Sequence, residues 1–249
     1  MAAIEKQDSV ARRGTSGTKV SPRSAQISVR YDQKLEFILR HAARIFAEKS
    51  YHSTSMRDIS RATGVSLAGL YHYCKSKEEL LFLIQDNCFG RVLERLEERL
   101  TAETDPTELV RIFIDNHLRF FAANMAEMKV LSHEADSLRG DLQAHVFDKK
   151  QRYTRLARSL LANLQKERAA DVQADLTIAT YGLFGMMNWI YNWYDPQAKL
   201  KVAALVENIF QLFLYGFLGG SQATNRTFAS NRTEESLSIW RQPLNDLKA

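Results

Sequence analysis

Cysteine, proline and glycine are scarce in this chain of 249 residues, which contains 2, 4 and 11 of them. Cys74 and Cys88 have no CxxC or His/Cys spacing around them, which argues against a disulfide framework and a zinc site. Because glycine and proline interrupt helices, their scarcity leaves long stretches of Leu, Ala, Glu, Lys and Arg between residues 32 and 220. The composition, 45% hydrophobic, therefore predicts an all-α protein with a substantial core.

The sequence also lacks a long apolar run and the common catalytic motifs. Its most apolar stretch, 181–194, is short and is interrupted by Asn188 and Asn192, and the N-terminus has no apolar signal-peptide core. There is no GxSxG, HExxH or glycine-rich phosphate loop, and His133-Glu134 lacks a second histidine. We therefore expect a cytoplasmic protein that is not an enzyme, without a membrane anchor, a metal or another cofactor.

Positive charge is concentrated in the N-terminal third. Residues 1–77 contain 14 Lys and Arg against 6 Asp and Glu, whereas the remainder contains 20 against 23. A basic region of this kind favours a polyanion such as DNA, because each phosphate contact releases condensed counterions. The alternative is a basic surface that is merely solvated.

Residues 1–30 are polar and rich in Ser, Thr, Arg and Lys, which predicts a disordered basic arm. Such an arm either lies along a DNA duplex or is a passive tail. At the other end, residues 221–249 form a polar C-terminal tail.

Between Asp32 and Thr101 the sequence contains a series of helix signals. Apolar residues at helical spacing predict a first helix from Asp32 to Lys49. The further signals are Ser55 with Asp58 as a capping box, Gly64 as a helix end, Ser66 as the cap of a short helix 67–73, and Ser76-Lys-Glu-Glu79 as the cap of a long helix from Lys77 to Leu100 or Thr101. This arrangement indicates a three-helix, helix-turn-helix DNA-binding domain over residues 31–78. The alternative is an ordinary helical hairpin, in which the capping residues stabilise helix ends and contact no DNA.

The short helix has the size and composition of a recognition helix. Ala68 and Gly69 lie near its start, where small side chains permit close approach to the bases of the major groove. Tyr71 and His72 carry groups that can donate hydrogen bonds to phosphates. Lys77 and the free N–H groups of the next helix form a further anion site.

This segment resembles the N-terminal domain of the TetR family of bacterial transcriptional regulators. The matching motifs are Thr54-Ser-Met-Arg-Asp-Ile59, Gly64-Val-Ser66, Leu70-Tyr-His-Tyr73 and Ser76-Lys-Glu-Glu-Leu-Leu81. The resemblance implies a homodimer that binds a near-palindromic double-stranded DNA operator, usually as a repressor released by a small ligand. It further implies phosphate contacts from Thr54, Tyr71, His72 and Lys77, with Ser66, Leu67, Ala68 and Gly69 at or near the base edges. Two residues depart from the family pattern, because Ser50 replaces a common glycine and Cys74 a common aromatic residue.

The remainder, 79–220, is expected to form a helical ligand-binding and dimerisation domain. Its patterns predict helices over 106–123, 125–138, 141–167, 175–194 and 196–217. The last two are apolar over broad faces and suggest a dimerisation pair, in which the same helices of two chains form a four-helix bundle. The alternative is the interior of a monomer.

For a small hydrophobic effector, we expect a mainly apolar pocket with a few polar groups. The candidate lining residues are Phe113, His117, Phe120, Phe121, Tyr153, Asn188, Trp189 and Trp193, each of which has a purely structural role as its alternative. The stretch 185–196 is similar to the corresponding helix of TetR-type regulators of fatty-acid or sterol breakdown, whose ligands are acyl-CoA thioesters. Arg152, Arg155 and Arg158 either contact the phosphates of CoA or form a solvated face. The alternatives for the whole chain are a regulator of efflux or stress genes that senses an unrelated hydrophobic compound, and a helical interaction protein that does not bind DNA.

Overall fold

The computed structural model describes residues 22–134, 136–167 and 174–218, and the regular structure within these ranges is entirely helical. The all-α prediction is therefore confirmed. The helices are α1 Pro22–Lys49, α2 Met56–Thr63, α3 Leu67–Tyr73, α4 Lys77–Leu100, α5 Pro106–Ala123, α6 Met125–His133, α7 Gly140–Glu167, α8 Leu176–Asn188, a 3₁₀ helix Trp189–Asn192, and α9 Val202–Leu218. The chain forms two compact units, whose boundary lies between Ile84 and Gln85, within α4.

The N-terminal unit forms around a small core shared by α1, α2, α3 and the start of α4. Its fully buried side chains include Ile38, Phe46, Ile59, Leu70 and Leu80. The predicted helix signals are confirmed: Ser55 and Asp58 form a reciprocal capping box, Gly64 ends α2 with a φ of 66°, and Ser66 caps α3. These local hydrogen bonds fix the helix ends, and thereby the angles between α1, α2 and α3.

The disorder predicted for residues 1–30 is wrong for its last part, because α1 begins at Pro22 and not at Asp32. Proline is well suited to the first turn of a helix, where its missing N–H has no partner in any case. No further glycine or proline interrupts the chain before Ser50, so the helix continues through the polar segment. The rest of the arm, 1–21, lies outside the described residues, as does the tail 221–249.

The C-terminal unit is built around α5, which packs against α6, α7, α8 and α9. Both sides of α5 are buried, with Phe113, Ile114, Leu118, Phe120 and Phe121 all at most 5% exposed. Two buried side-chain amides donate to backbone carbonyls: Asn116 to that of Val92 and Gln85 to that of Glu134. The cysteines Cys74 and Cys88 are buried free thiols.

Three predicted helix ends need correction. Helix α6 stops at His133 and not at Leu138, because the chain turns at Glu134 and Ser137. The helix predicted over 175–194 ends at Asn188 and tightens into the 3₁₀ turn, as helices commonly do at their C-termini. The last helix starts at Val202 and not at Pro196, since the Asp195 carboxylate accepts from the N–H of Gln197 and holds a turn instead.

The described helices include none that is both long enough and apolar enough to cross a lipid bilayer.

Candidate DNA-binding surface and ligand cavity

Helix α3 has one buried and one exposed face, and the exposed face carries most of the predicted DNA contacts. Leu70 is fully buried and anchors the helix, whereas Ser66, Ala68, Tyr71 and His72 are exposed. Leu67 and Gly69 lie half-buried between the two faces. The exposed N-terminal end has the dimensions and small side chains that entry into a major groove requires.

Gly69 has a packing role that the sequence did not reveal. A Cβ atom at this position would lie 2.9 Å from Cγ1 of Val65 and 3.2 Å from Oγ of Ser66. That Ser66 hydroxyl accepts the capping hydrogen bond from the N–H of Gly69 at 3.1 Å. A side chain at residue 69 therefore disturbs the cap of α3, whereas Ala68 is exposed.

Thr54 and Lys77 tie the N-terminal unit together. Thr54 is 2% exposed, and its hydroxyl donates to the carbonyl of Ser50 at 2.8 Å. The Lys77 ammonium donates to the carbonyls of Tyr51 and Thr54, both at 2.9 Å, and lies 4.3 Å from the centre of the Tyr51 ring. Both residues thus hold the turn between α1 and α2, and their phosphate contacts stay a prediction.

The start of α4 differs slightly from the expected capping box. The hydroxyl of Ser76 accepts from the N–H of Glu79 at 3.0 Å, as predicted. The Glu79 carboxylate, however, accepts from the N–H of Lys75 and not from that of Ser76. Both bonds satisfy N–H groups at the junction between α3 and α4.

An aromatic group that no sequence pattern indicated supports the end of α3. The ring of Tyr31 stacks on that of Tyr73 with 4.7 Å between centres and meets the edge of His72 at 6.0 Å. Tyr31 lies one residue before the predicted first helix and enters the unit only because α1 starts earlier. Nothing local in the sequence relates residue 31 to residue 73.

The C-terminal unit contains a cavity of about 430 Å³, within the usual range for small-molecule sites. Its lining comes from α4, α5, α6, α7, α8 and the 3₁₀ turn. These residues are Phe89, His117, Phe121, Met128, Leu131, Ser132, Lys150, Tyr153, Thr154, Tyr181, Phe184, Gly185, Asn188, Trp189 and Tyr191. We call the buried part of this lining, which includes His117, Phe121 and Tyr153, the inner end, and the exposed part, which includes Lys150 and Trp189, the outer end.

Five of the eight candidate lining residues meet in this cavity: His117, Phe121, Tyr153, Asn188 and Trp189. Phe113 is behind the wall, with its ring against Tyr153 and Phe184. Phe120 is buried elsewhere on α5, and Trp193 lines a separate groove with Met186 and Leu212. Trp193 diverges from Trp189 because the chain turns into the 3₁₀ helix between them.

Among the described lining residues, the buried polar side chains of the inner end are His117 and Tyr153, which form one pair. Nδ1 of His117 and the hydroxyl of Tyr153 lie 3.2 Å apart, and both side chains are buried. Burial lowers the pKa of His117 to about 3, an effect that the nearby Asn188 amide partly offsets. Burial also raises the pKa of Tyr153, so both groups are neutral at physiological pH.

The three arginines proposed for CoA phosphates have protein partners on α7 or beside it. Arg152 pairs with Glu97, Arg155 approaches Asp148 at 3.9 Å, and Arg158 donates to the Thr177 hydroxyl. None of them lines the cavity, whereas Lys150, on the same helix, does. The position of Lys150 was not evident from the sequence, because helix α7 carries basic residues on several faces.

Comparison with known families covers both units. Residues 38–84 match the family described as bacterial regulatory proteins of the tetR family, and residues 103–217 match the tetracyclin repressor-like C-terminal domain. A TetR-family transcriptional regulator from Bordetella parapertussis 12822 is 30% identical, with 76% of this chain and 98% of that chain covered and a TM-score of 0.66. The chain belongs to the TetR family. It is accordingly a DNA-binding transcriptional regulator, and the helix-turn-helix prediction is confirmed.

Two further relatives are a regulator solved with its ligands and a transcriptional repressor. The regulator AibR, whose crystal structure contains isovaleryl coenzyme A and operator DNA, is 25% identical, with 72% of this chain and 97% of that chain covered and a TM-score of 0.64. The repressor KstR2 of Mycolicibacterium smegmatis is 26% identical over 187 residues, which are 74% of this chain and 88% of the relative.

Proposed function

We propose that this protein is a homodimeric repressor that leaves a near-palindromic operator when an acyl-CoA thioester occupies its cavity. The observation that carries the proposal is the cavity itself, an apolar volume with a polar inner end and a cationic outer residue. The relative AibR, which binds both a coenzyme A thioester and operator DNA, supports the assignment. A ligand with a hydrocarbon part and anionic phosphates matches both ends of such a cavity.

On the DNA side, the exposed face of α3 reads the operator. Ala68, together with the neighbouring Ser66, Leu67 and Gly69, faces the bases, and Tyr71 and His72 donate to phosphates. The main role of Lys77 and Thr54 is to stabilise the α1–α2 turn, because their donors are engaged with backbone carbonyls. Residues that read bases change operator choice when substituted, whereas phosphate contacts change affinity for all sequences.

The dimer forms through α8 and α9. Ile178, Leu212 and Tyr215 on these helices are all more than two-thirds exposed in one chain. Large apolar side chains concentrated on two neighbouring helices are typical of an interface, and a two-fold pair of such helices closes a four-helix bundle. A dimer also places two copies of α3 on one duplex, as a near-palindromic operator requires.

The proposal is tested by measuring operator binding with acyl-CoAs of graded chain length. The operator is first selected from random duplexes, and fluorescence anisotropy then reports its release. At least one acyl-CoA should weaken binding at concentrations at which free CoA does not. A protein that keeps its operator with every acyl-CoA, and releases it with an unrelated hydrophobic compound, would contradict the proposed effector.

Phe121→Trp provides a matched test of the cavity. The larger ring reduces the space near His117, so the variant should bind the operator normally but respond weakly to acyl-CoA. Phe147→Trp is the control, because Phe147 is 58% exposed on α7 and does not line the cavity. If the two variants respond equally to ligand, the effector does not occupy this cavity.

A further inference from the structure

The inner end of the cavity contains a polar atom that has no partner among the described residues. His117 is 2% exposed and lines the cavity, yet no atom of the described residues meets hydrogen-bond geometry with its Nε2. The Asn188 amide comes close enough to influence the ring but does not satisfy this nitrogen. Leaving a buried hydrogen-bonding group unpaired destabilises a protein, so such an atom at the wall of a cavity points to a ligand.

The partner of the other ring nitrogen determines what Nε2 offers. Tyr153 is buried, and its hydroxyl has the Nδ1 atom of His117 as its one hydrogen-bond partner in the described part of the chain. If the hydroxyl accepted from Nδ1–H, both its own hydrogen and the lone pair of Nε2 would be without partners among the described residues, whereas donation from the hydroxyl to Nδ1 leaves only the hydrogen on Nε2 without one. The hydroxyl therefore donates to Nδ1, which leaves the hydrogen of the neutral ring on Nε2. The free position is thus a hydrogen-bond donor.

The surroundings of this donor select a neutral acceptor. Phe113, Phe121 and Phe184 have ring centres within 4.6 to 6.4 Å of the His117 ring. A carboxylate in this apolar enclosure would have to lose its hydration without a counter-charge, because Lys150, the cationic residue among the described lining, is exposed. A carbonyl oxygen needs only the one donor.

We propose that the ligand presents a neutral carbonyl oxygen, as in a thioester, to Nε2–H of His117, and that this hydrogen bond separates thioesters from ligands that lack the carbonyl. The inference rests on the proposed function, since it assigns a specificity determinant to the same cavity. His117 is the donor, and Tyr153 is a positioning residue that fixes its tautomer. The hydrocarbon part of the ligand then lies against Phe121, Phe184 and Met128.

The test compares three ligands of equal chain length by isothermal titration calorimetry on the full chain. The first is an acyl-CoA, the second is the S-alkyl-CoA thioether in which a methylene replaces the carbonyl, and the third is the free fatty acid. The acyl-CoA should bind about tenfold more tightly than the thioether, as expected for one neutral hydrogen bond in a buried site. The fatty acid should bind more weakly than the acyl-CoA.

Two variants locate the effect. His117→Phe should bind both CoA ligands equally well, and Tyr153→Phe, which deletes a single oxygen and is safer for folding, should reduce the preference because the tautomer is no longer fixed. Met128→Leu is the control, since it changes an apolar part of the wall and should shift both affinities by the same factor.

The possible results test the carbonyl contact and the proposed effector class independently. Equal binding of the acyl-CoA and the thioether by the natural protein overturns the carbonyl contact but leaves the proposed effector class in place. A preference that persists in His117→Phe overturns the role of His117, and tighter binding of the fatty acid overturns the neutral acceptor. If neither CoA ligand binds, the proposed effector fails and the inference fails with it.

Discussion

Removing the charge of Lys77 is expected mainly to lower the stability of the N-terminal unit, and not to remove a contact with a DNA phosphate. The sequence alone predicts a phosphate contact, and a neutral substitution would then weaken DNA binding without unfolding the protein. In the structure, two of the three ammonium hydrogens are donated to the carbonyls of Tyr51 and Thr54. Lys77→Met is the sharpest substitution, because methionine keeps the apolar stem and removes only the charged donor.

The size of the effect follows from the interactions that the substitution removes. A hydrogen bond from a charged donor contributes roughly 1.5 to 3 kcal/mol, and a cation over an aromatic ring about 0.5 to 1 kcal/mol at an exposed site. One ammonium makes all three interactions and is only half-buried, so the contributions overlap and solvent weakens them. We expect Lys77→Met to lower the free energy of unfolding by about 2 kcal/mol.

Two measurements distinguish the structural role from the phosphate role. Urea denaturation gives the stability, and binding to duplex DNA at several salt concentrations gives the slope of log K against log salt, whose magnitude falls by about 0.9 for each phosphate that the protein no longer neutralises. Lys75→Met is the control, because the Lys75 side chain is exposed and makes no hydrogen bond or ion pair within the described ranges. A Lys77→Met protein of unchanged stability whose slope is smaller by about one would refute the structural role.

Three further substitutions test other parts of the structure. Ser50 has a φ of 67°, a left-handed conformation that glycine adopts freely, so Ser50→Gly should raise the free energy of unfolding in urea by roughly 0.5 to 1 kcal/mol; a decrease in stability would contradict this. Tyr31→Ala removes the ring stacked on Tyr73, so it should lower the free energy of unfolding by about 1 kcal/mol and weaken operator binding. Tyr31→Phe keeps the ring and should leave stability and operator binding unchanged. A Cβ at Gly182 would meet no atom within 4 Å in one chain, so Gly182→Leu should leave the circular dichroism spectrum unchanged and shift the dimer toward monomer in light scattering; an unchanged dimer would place the interface elsewhere.

The DNA-binding unit could be predicted closely because its signals are local. Capping residues such as Ser55 and Ser66 bond to groups three residues away, and Gly64 supplies the left-handed turn within its own residue. Such short-range chemistry is visible in a linear sequence. Tyr31 and Tyr73, by contrast, are separated by more than forty residues, and no periodicity indicates that their rings stack.

The residues that line the cavity were only partly predictable for the same reason. An aromatic residue on an apolar helix face has the same appearance in sequence whether it fills the core, as Phe120 does, or lines a cavity, as Phe121 does. Successive side chains on a helix point about 100° apart, so neighbours in sequence belong to different surroundings. The 3₁₀ turn likewise separates Trp189 from Trp193.

The sequence by itself determined the helical fold, the caps and turn of the helix-turn-helix, and the concentration of positive charge beside it. Only the tertiary structure decided that Lys77 is engaged with backbone carbonyls, that Gly69 fits against its own cap, and that Nε2 of His117 has no partner among the described residues. The physical reason is that caps and periodicity depend on residues a few positions apart, whereas the availability of a donor depends on every element packed around it.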